Sequence, residues 1–269
     1  ISVISHLRHP NLVLFLGACL DGHPAWILSE LLEGGNLDDL FDAKQASRGG
    51  APWRPAHSVV HGWAVELARA ICFLHNCGPP IIHRDVKPSN VLLSIDHHIK
   101  LGDFGLSKTV RSATQSGRYA MTGLTGTLRY MAPEVMITEE YNEKVDIYSF
   151  ALVVWFMCTG IRPLGDVMVT APSESVRVES CPLPSRIAES KFHGEKLATA
   201  LLAGCRPPLD QITLPGMAAL LSQSWTASPG ERPAAEELIR ELEALRPALL
   251  QKRPPAILKC PRSVCCALV

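Results

Sequence analysis

His83-Arg84-Asp85-Val86-Lys87-Pro88-Ser89-Asn90, followed thirteen residues later by Asp103-Phe104-Gly105, is the stretch on which the reading of this chain turns. Apolar Ile81-Ile82 leads into it. Between the two motifs, Val91-Leu92-Leu93 and Ile99-Lys100-Leu101 flank Ile95-Asp96-His97-His98 and read as a short hairpin. Upstream, Trp63, Leu67, Ala70, Ile71 and Leu74 recur at three- and four-residue spacing, which predicts a long amphipathic helix ending near Asn76-Cys77-Gly78-Pro79-Pro80. Further upstream, Leu12–Leu16 and Ala25–Ser29 read as two strands joined by a turn, and Glu33-Gly34-Gly35-Asn36 breaks that pattern. Downstream, Asp146–Gly160 is apolar on most faces and predicts a buried central helix. Residues 171–190 read as an irregular surface loop. Pro233 is expected to open a last helix with Leu238, Leu242 and Leu245 on its inner stripe.

The chain has 269 residues, 47% of them apolar, enough for one large domain or two lobes with a sizeable core. Lys and Arg number 26 and so do Asp and Glu, so a whole-domain basic field for gripping nucleic acid is excluded. The nine cysteines contain no Cys-x-x-Cys pair and no zinc-like spacing, and they read as thiols in a reducing, cytoplasmic compartment. The longest strongly apolar run, Phe150–Cys158, is too short to span a bilayer. The chain starts with Ile1, not Met, and is expected to be a fragment.

The decisive stretch carries a specific chemistry. Phosphoryl transfer asks for a carboxylate that orients the attacking hydroxyl and accepts its proton, for oxygen ligands that hold Mg²⁺ on the phosphates, and for a cation near the developing charge. Asp85 can serve as the first, Asn90 and Asp103 as the metal ligands, and Lys87 as the cation. An Asp plus an amide carbonyl match the preference of Mg²⁺ for hard oxygen.

His83–Asn90, Asp103-Phe104-Gly105 and Ala132-Pro133-Glu134, in that order, resemble the signature set of eukaryotic protein kinases. Leu7–Val13, Asp146–Phe150 and Trp225 with Pro229–Pro233 are similar to further segments of that family, so the resemblance covers residues 1 to about 248. Leu7–Cys19 and Gly126–Val135 look like its tyrosine-kinase-like group. The resemblance implies an α+β, bilobal fold. Residues 1–32 would be a remnant of the small lobe, 33–248 the mainly helical large lobe, and 249–269 a disordered basic tail. It also implies ATP and Mg²⁺ as cofactors, bound in the cleft between lobes, and protein substrates. Lys87 and Thr127 resemble the serine/threonine pattern, with dual specificity as the open alternative.

Other roles are implied by the same resemblance. Ser29 would be the gatekeeper behind the adenine, Glu30 and Leu32 would offer hinge backbone groups, and Leu92 would pack beneath the base. Ile4, Phe15, His83 and Phe104 would stack between the lobes. Asp146 would brace the catalytic-loop backbone, and Glu134 and Arg232 would form a buried ion pair. The activation segment, Asp103–Glu134, holds Ser107, Thr109, Ser112, Thr114, Ser116, Thr122 and Thr125. A phosphate there, placed by an upstream activating kinase, could pair with Arg84 and order the segment. Thr122 and Thr125 are the expected sites.

The sequence also departs from the pattern. The glycine-rich loop, the phosphate-pairing strand lysine and its glutamate partner are absent from the residues given, so this fragment alone is expected to be inactive. Ala151 stands where the family usually has Gly, and residues 165–203 read as an insertion. His97-His98 lacks a chelating partner. The final Cys-Ala-Leu-Val loosely fits a CaaX prenylation box behind Lys252, Arg253, Lys259 and Arg262, so membrane anchoring and a functionless tail both stay open. A pseudokinase scaffold and a small-molecule phosphotransferase are the rival readings.

Overall fold

The computed structural model describes residues 4–21, 26–109, 128–137, 141–164 and 199–250. The expected loop at 171–190, most of the activation segment, nearly all of the 165–203 insertion and the tail beyond residue 250 lie outside these residues. In chain order the elements are β1 (Phe15–Cys19), β2 (Trp26–Ser29), α1 (Leu37–Ala46), α2 (His57–His75), β3 (Ile81–Ile82), β4 (Val91–Leu93), β5 (Ile99–Leu101), β6 (Lys108–Thr109), α3 (Pro133–Ile137), α4 (Lys144–Thr159), α5 (Met217–Ser224) and α6 (Ala235–Leu250). The strands form antiparallel pairs β1–β2, β3–β6 and β4–β5. Among the described residues, no helix is long and apolar enough to cross a membrane.

The apolar run Leu12–Leu16 does not form one strand. Its first part bonds to β5: Val13 N–H donates to Leu101 O at 3.0 Å, and Leu101 N–H to Asn11 O at 2.8 Å. Only from Phe15 onward does the chain pair with β2, with Phe15 opposite Ser29 and Cys19 opposite Trp26. One stretch thus links the small sheet to the β4–β5 hairpin. The outer sheet leaves Leu16, Trp26, Ile27 and Leu28 exposed.

Helix α1 begins where Asn36 Oδ1 accepts from Asp39 N–H at 2.9 Å, with Asp38 and Asp39 in its first turn facing the positive end of the helix dipole. The apolar periodicity does not reveal this helix; its cap and acidic first turn do. Helix α2 buries Val60, Trp63, Leu67, Ala68, Ile71 and Leu74, the face that its periodicity marks, against α4 and α6. In α4 almost every residue is buried, including Trp155 and Phe156. Ala151 is fully buried there, so its methyl group fits the helix interior. Helix α6 starts at Ala235, two residues after the expected Pro233, and buries Leu238 and Leu242 while Leu245 packs at the edge of the core.

Two contacts close the large lobe. Gly160 caps α4 at φ +69°, and a side chain there would run into the carbonyl oxygen of Trp53. Arg232, whose side chain is fully buried, pairs with Glu134 through both arms, Nη1 to Oε1 at 2.5 Å and Nη2 to Oε2 at 2.9 Å. Its remaining donors reach Thr226 O and Lys144 O at 3.0 Å, and its guanidinium lies 5.0 Å from the Tyr148 ring centre. The implied ion pair is therefore formed and its donors have carbonyl partners.

Gly160→Ala is expected to lower the unfolding free energy by about 1–3 kcal/mol, because L residues are strained in this conformation, and urea titration of the two proteins measures the loss. Arg232→Met removes the two-armed guanidinium from Glu134 and should cost about 3–5 kcal/mol in the same titration.

Candidate active site

Two long-range pairings assemble the motif residues. Strand β3, which enters the catalytic loop, pairs with β6, which follows Asp103-Phe104-Gly105: Ile81 lies opposite Thr109 and Ile82 opposite Lys108. In the β4–β5 hairpin Val91 lies opposite Leu101, and one step further Gly102 N–H donates to Asn90 O at 2.9 Å. Asn90 and Asp103 are thereby drawn to the same end of the hairpin, although thirteen positions separate them.

The loop itself is held from behind by Asp146, near the start of α4. This carboxylate is fully buried. Its Oδ1 accepts from Arg84 N–H at 2.8 Å, and its Oδ2 accepts from His83 N–H at 2.8 Å and from His75 Nε2 at 2.9 Å. Burial by itself would raise its pKa. The bond from His75 and the nearby ring charges, with the Arg84 amide, outweigh that and hold it below the ordinary carboxylate value. The expected brace is thus observed, with His75 as an unforeseen third donor. Arg84 takes a left-handed φ of +68°, which turns the chain so that Asp85 follows.

His83 is an architectural residue in this arrangement. Its Nε2 bonds Gly102 O at 2.9 Å, and its Nδ1 faces Asp85 N–H at 3.3 Å. Burial pushes its pKa down, which favours the neutral ring, and this pair of bonds then assigns the proton to Nε2. The Phe104 ring packs edge-on against it at 5.1 Å. Of the expected inter-lobe stack, that pair is in contact, Phe15 is half-buried on β1, and the Ile4 side chain lies outside the described residues.

Asp85 is 5% exposed. Its Oδ2 receives Lys87 Nζ at 2.8 Å and Asn90 Nδ2 at 2.9 Å. Asn90 Nδ2 also donates to Asp85 O at 2.8 Å, so both amide hydrogens are spent and the Asn90 carbonyl oxygen points elsewhere. Asp85 Oδ1 is buried without a hydrogen-bond partner among the described residues. Asp103 is exposed at φ +58°, and its Oδ1 takes Gly105 N–H at 3.1 Å. The structure therefore brings Asp85, Lys87 and Asn90 into direct contact and sets Asp103 beside them through the hairpin. Among the described residues no cluster of three or more His, Cys, Asp or Glu side chains could hold a metal, and His97-His98 forms none. A Mg²⁺ held by two protein oxygens and completed by phosphates does not need such a cluster.

The implied nucleotide residues lie where β1–β2 meets this hairpin. Ser29 ends β2 and is exposed. Glu30 N–H bonds Leu14 O at 2.9 Å, while its carboxylate takes Leu14 N–H at 2.7 Å and Lys100 Nζ at 2.7 Å. Leu32 O accepts from Gly35 N–H in a turn, and Leu92 lies across from Lys100 on the hairpin. A side chain at Gly102 would push on Leu92 Cδ1 and Val13 Cγ2, which would stand 2.7 and 2.9 Å from its Cβ and would have to shift. Arg84 Nη1 donates to Tyr141 Oη at 2.7 Å. His75, Lys100 and Tyr141 were not singled out from sequence. Each lies outside the motifs, and nothing in its local pattern marks its partner.

Residues 1–242 match the family model described as protein tyrosine and serine/threonine kinase. The chain is 35% identical over 251 residues to serine/threonine-protein kinase VIK of Arabidopsis thaliana, an overlap of 93% of this chain and 50% of that protein. It is 33% identical to serine/threonine-protein kinase 12 of the same plant, across 94% of this chain and 48% of that one. A Dictyostelium discoideum protein named seven transmembrane domain-containing tyrosine-protein kinase 1 is also 33% identical, over 97% of this chain and 33% of its own. The chain thus spans half or less of these relatives. On the motif geometry and a family match across nearly all its length, this chain belongs to the protein tyrosine and serine/threonine kinase family.

Proposed function

We propose that the protein containing this chain transfers the γ-phosphate of ATP to serine and threonine hydroxyls of proteins in signalling. The observation that carries this reading is the buried Oδ1 of Asp85, without a hydrogen-bond partner among the described residues, on the same carboxylate whose Oδ2 is already held by Lys87 and Asn90. An unsatisfied buried carboxylate oxygen is costly unless a donor arrives, and a substrate hydroxyl is such a donor. Asp85 would orient that hydroxyl and accept its proton. Lys87, already beside Asp85, would place its cation where charge develops on the transferred group.

The donor set fits Mg²⁺ with ATP. The Asn90 carbonyl oxygen is turned away from Asp85, and the Asp103 carboxylate is exposed with one oxygen on Gly105. These two would hold the metal, which when bound neutralises phosphate charge. Ser29, Glu30, Leu32 and Leu92 would receive the adenine at the seam between residues 1–32 and 33–248, the proposed lobes. The free thiols Cys19, Cys72, Cys77, Cys158 and Cys205 suit a reducing, cytoplasmic setting.

Serine and threonine as acceptors rest on Lys87 and Thr127 and on the printed names of two relatives; Thr127 lies outside the described residues. The tyrosine-kinase name of the third relative keeps dual specificity as a second reading. Full-length protein, incubated with Mg²⁺-ATP and a generic protein acceptor, should yield phosphoserine and phosphothreonine on acid hydrolysis. Asp85→Asn should lower the rate by about 10²–10⁴-fold. No transfer by the unmodified protein would favour a scaffold role, and dominant phosphotyrosine would overturn the acceptor class.

Regulation by an upstream kinase acting on Thr122 or Thr125 belongs to the same proposal, with the Arg84 guanidinium donating hydrogen bonds to the new phosphate. Phosphatase treatment should then reduce activity, and Thr122→Ala with Thr125→Ala should abolish the response. Equal activity before and after treatment would remove phosphorylation from the mechanism.

A further inference from the structure

Asp38 and Asp42 lie one turn apart on α1, and both are gripped by Arg162, in the turn that follows α4. Arg162 Nη2 is 2.9 Å from Asp38 Oδ1 and 2.9 Å from each carboxylate oxygen of Asp42. All three contacts fall on one nitrogen, so the grip is a single point and not the two-armed fork by which a guanidinium binds carboxylates best. The Arg162 side chain is also 40% exposed. A charge pair this open to water contributes little and separates at small cost.

The bay formed by these carboxylates lies beside the proposed chemistry. Helix α1 packs against Pro88–Asn90, the end of the catalytic loop. The stretch just beyond Thr127 is fixed against the turn that bears Arg162: Ser149 Oγ donates to Tyr130 O at 2.7 Å, and Arg129 Nη1 donates to Pro163 O at 3.0 Å and to Leu164 O at 2.7 Å. Tyr130 is only 6% exposed, and its Oη is buried without a hydrogen-bond partner among the described residues. Burial first, and then the charge of Asp38, push its pKa up, so the hydroxyl keeps its proton; the charges of Arg162 and Arg129 also reach it. A buried hydroxyl this close to a carboxylate, yet bonded to nothing described, is a costly arrangement that an added donor would relieve.

Resting on the proposed transfer to proteins, we propose that Asp38, Asp42 and Tyr130 Oη form a subsite for an arginine side chain of the protein substrate, with Arg162 as its displaceable resting occupant. The presence of Arg162 shows that the bay accepts a guanidinium. An arginine that is not tethered to the α4 turn can set two nitrogens on the carboxylates and a further N–H on Tyr130, which Arg162 does not bond. Arg162 then turns into solvent. Lysine is a poorer fit, because an ammonium is a point charge and cannot fork.

The test uses the full-length protein and serine peptides that carry arginine, lysine or leucine singly at each position flanking the acceptor. Ratios are taken within each variant, so a general loss of folding or activity cancels. At one position arginine should exceed leucine in kcat/KM by about 3–10-fold, almost wholly through KM, with lysine between them. Arg162→Ala removes the internal competitor and should widen that ratio to about 30-fold or more. Asp38→Asn should bring it to about 1, and Tyr130→Phe should lower it by about 3–10-fold. No position favouring arginine in Arg162→Ala, or a preference that survives in both Asp38→Asn and Asp42→Asn, would overturn the subsite. If the unmodified protein transfers no phosphate, the activity reading fails, and anisotropy of the same peptides, fluorescently labelled, decides the subsite separately. Tighter binding of the arginine peptide than the leucine peptide to Arg162→Ala, lost on adding Asp38→Asn, would support it, and any other pattern would overturn it.

Discussion

A single buried carboxylate, Asp146, organises the centre of this molecule. It sits in a helix that is otherwise apolar on nearly every face, so it lies in a low dielectric where a lone charge would be untenable. Three N–H donors make it tolerable, and two of them belong to the backbone of the catalytic loop. The dependence runs both ways. The charge needs the loop, and the loop, with Arg84 in a left-handed conformation, needs the charge. The rigid scaffold of α2 and α4 is thereby joined to the irregular segment that carries Asp85, Lys87 and Asn90.

From that anchor the site is built outward by backbone pairing. The β3–β6 and β4–β5 ladders enclose residues 83–107, so both motifs emerge at neighbouring strand ends. His83 then serves as a neutral spacer between Asp85 and Gly102, and Asn90 cross-links the loop to the hairpin. One oxygen of Asp85, Oδ1, is buried without a hydrogen-bond partner among the described residues. The Glu30–Lys100 pair, only about a fifth exposed on each side, ties the segment after β2 to this same hairpin. The small sheet is therefore attached to the catalytic hairpin both by the backbone of Asn11–Val13 and by a charge pair.

Much of this was legible in the residues. The helices α2 and α4 follow from apolar spacing, the hairpin from β-branched runs around a turn, and the Asp85, Asn90 and Asp103 set from its fixed order. Burial of the Glu134–Arg232 pair and the bracing by Asp146 followed from the family resemblance and are present in the structure. Other features were out of reach. Leu12–Leu16 reads as one strand because periodicity cannot say that its two halves pair with different partners. Helix α1 is short and its core face holds only Leu37 and Phe41, too few to stand out against Asp38, Asp39 and Asp42. Helix α6 starts two residues beyond Pro233, and the Ala234 N–H just ahead of it is capped by Glu237 Oε2 from inside the helix.

By itself, then, the order of residues determined which chemical groups are available and which family they belong to, because motif identity and helical period are properties of neighbours along the chain. Tertiary structure alone decided which oxygen of Asp85 is left without a donor, that His75 is the third hand on Asp146, and that Lys100 reaches Glu30. Those facts depend on contacts between residues 5 to 71 positions apart, whose geometry is set only when helices and hairpins pack and bury their polar groups together.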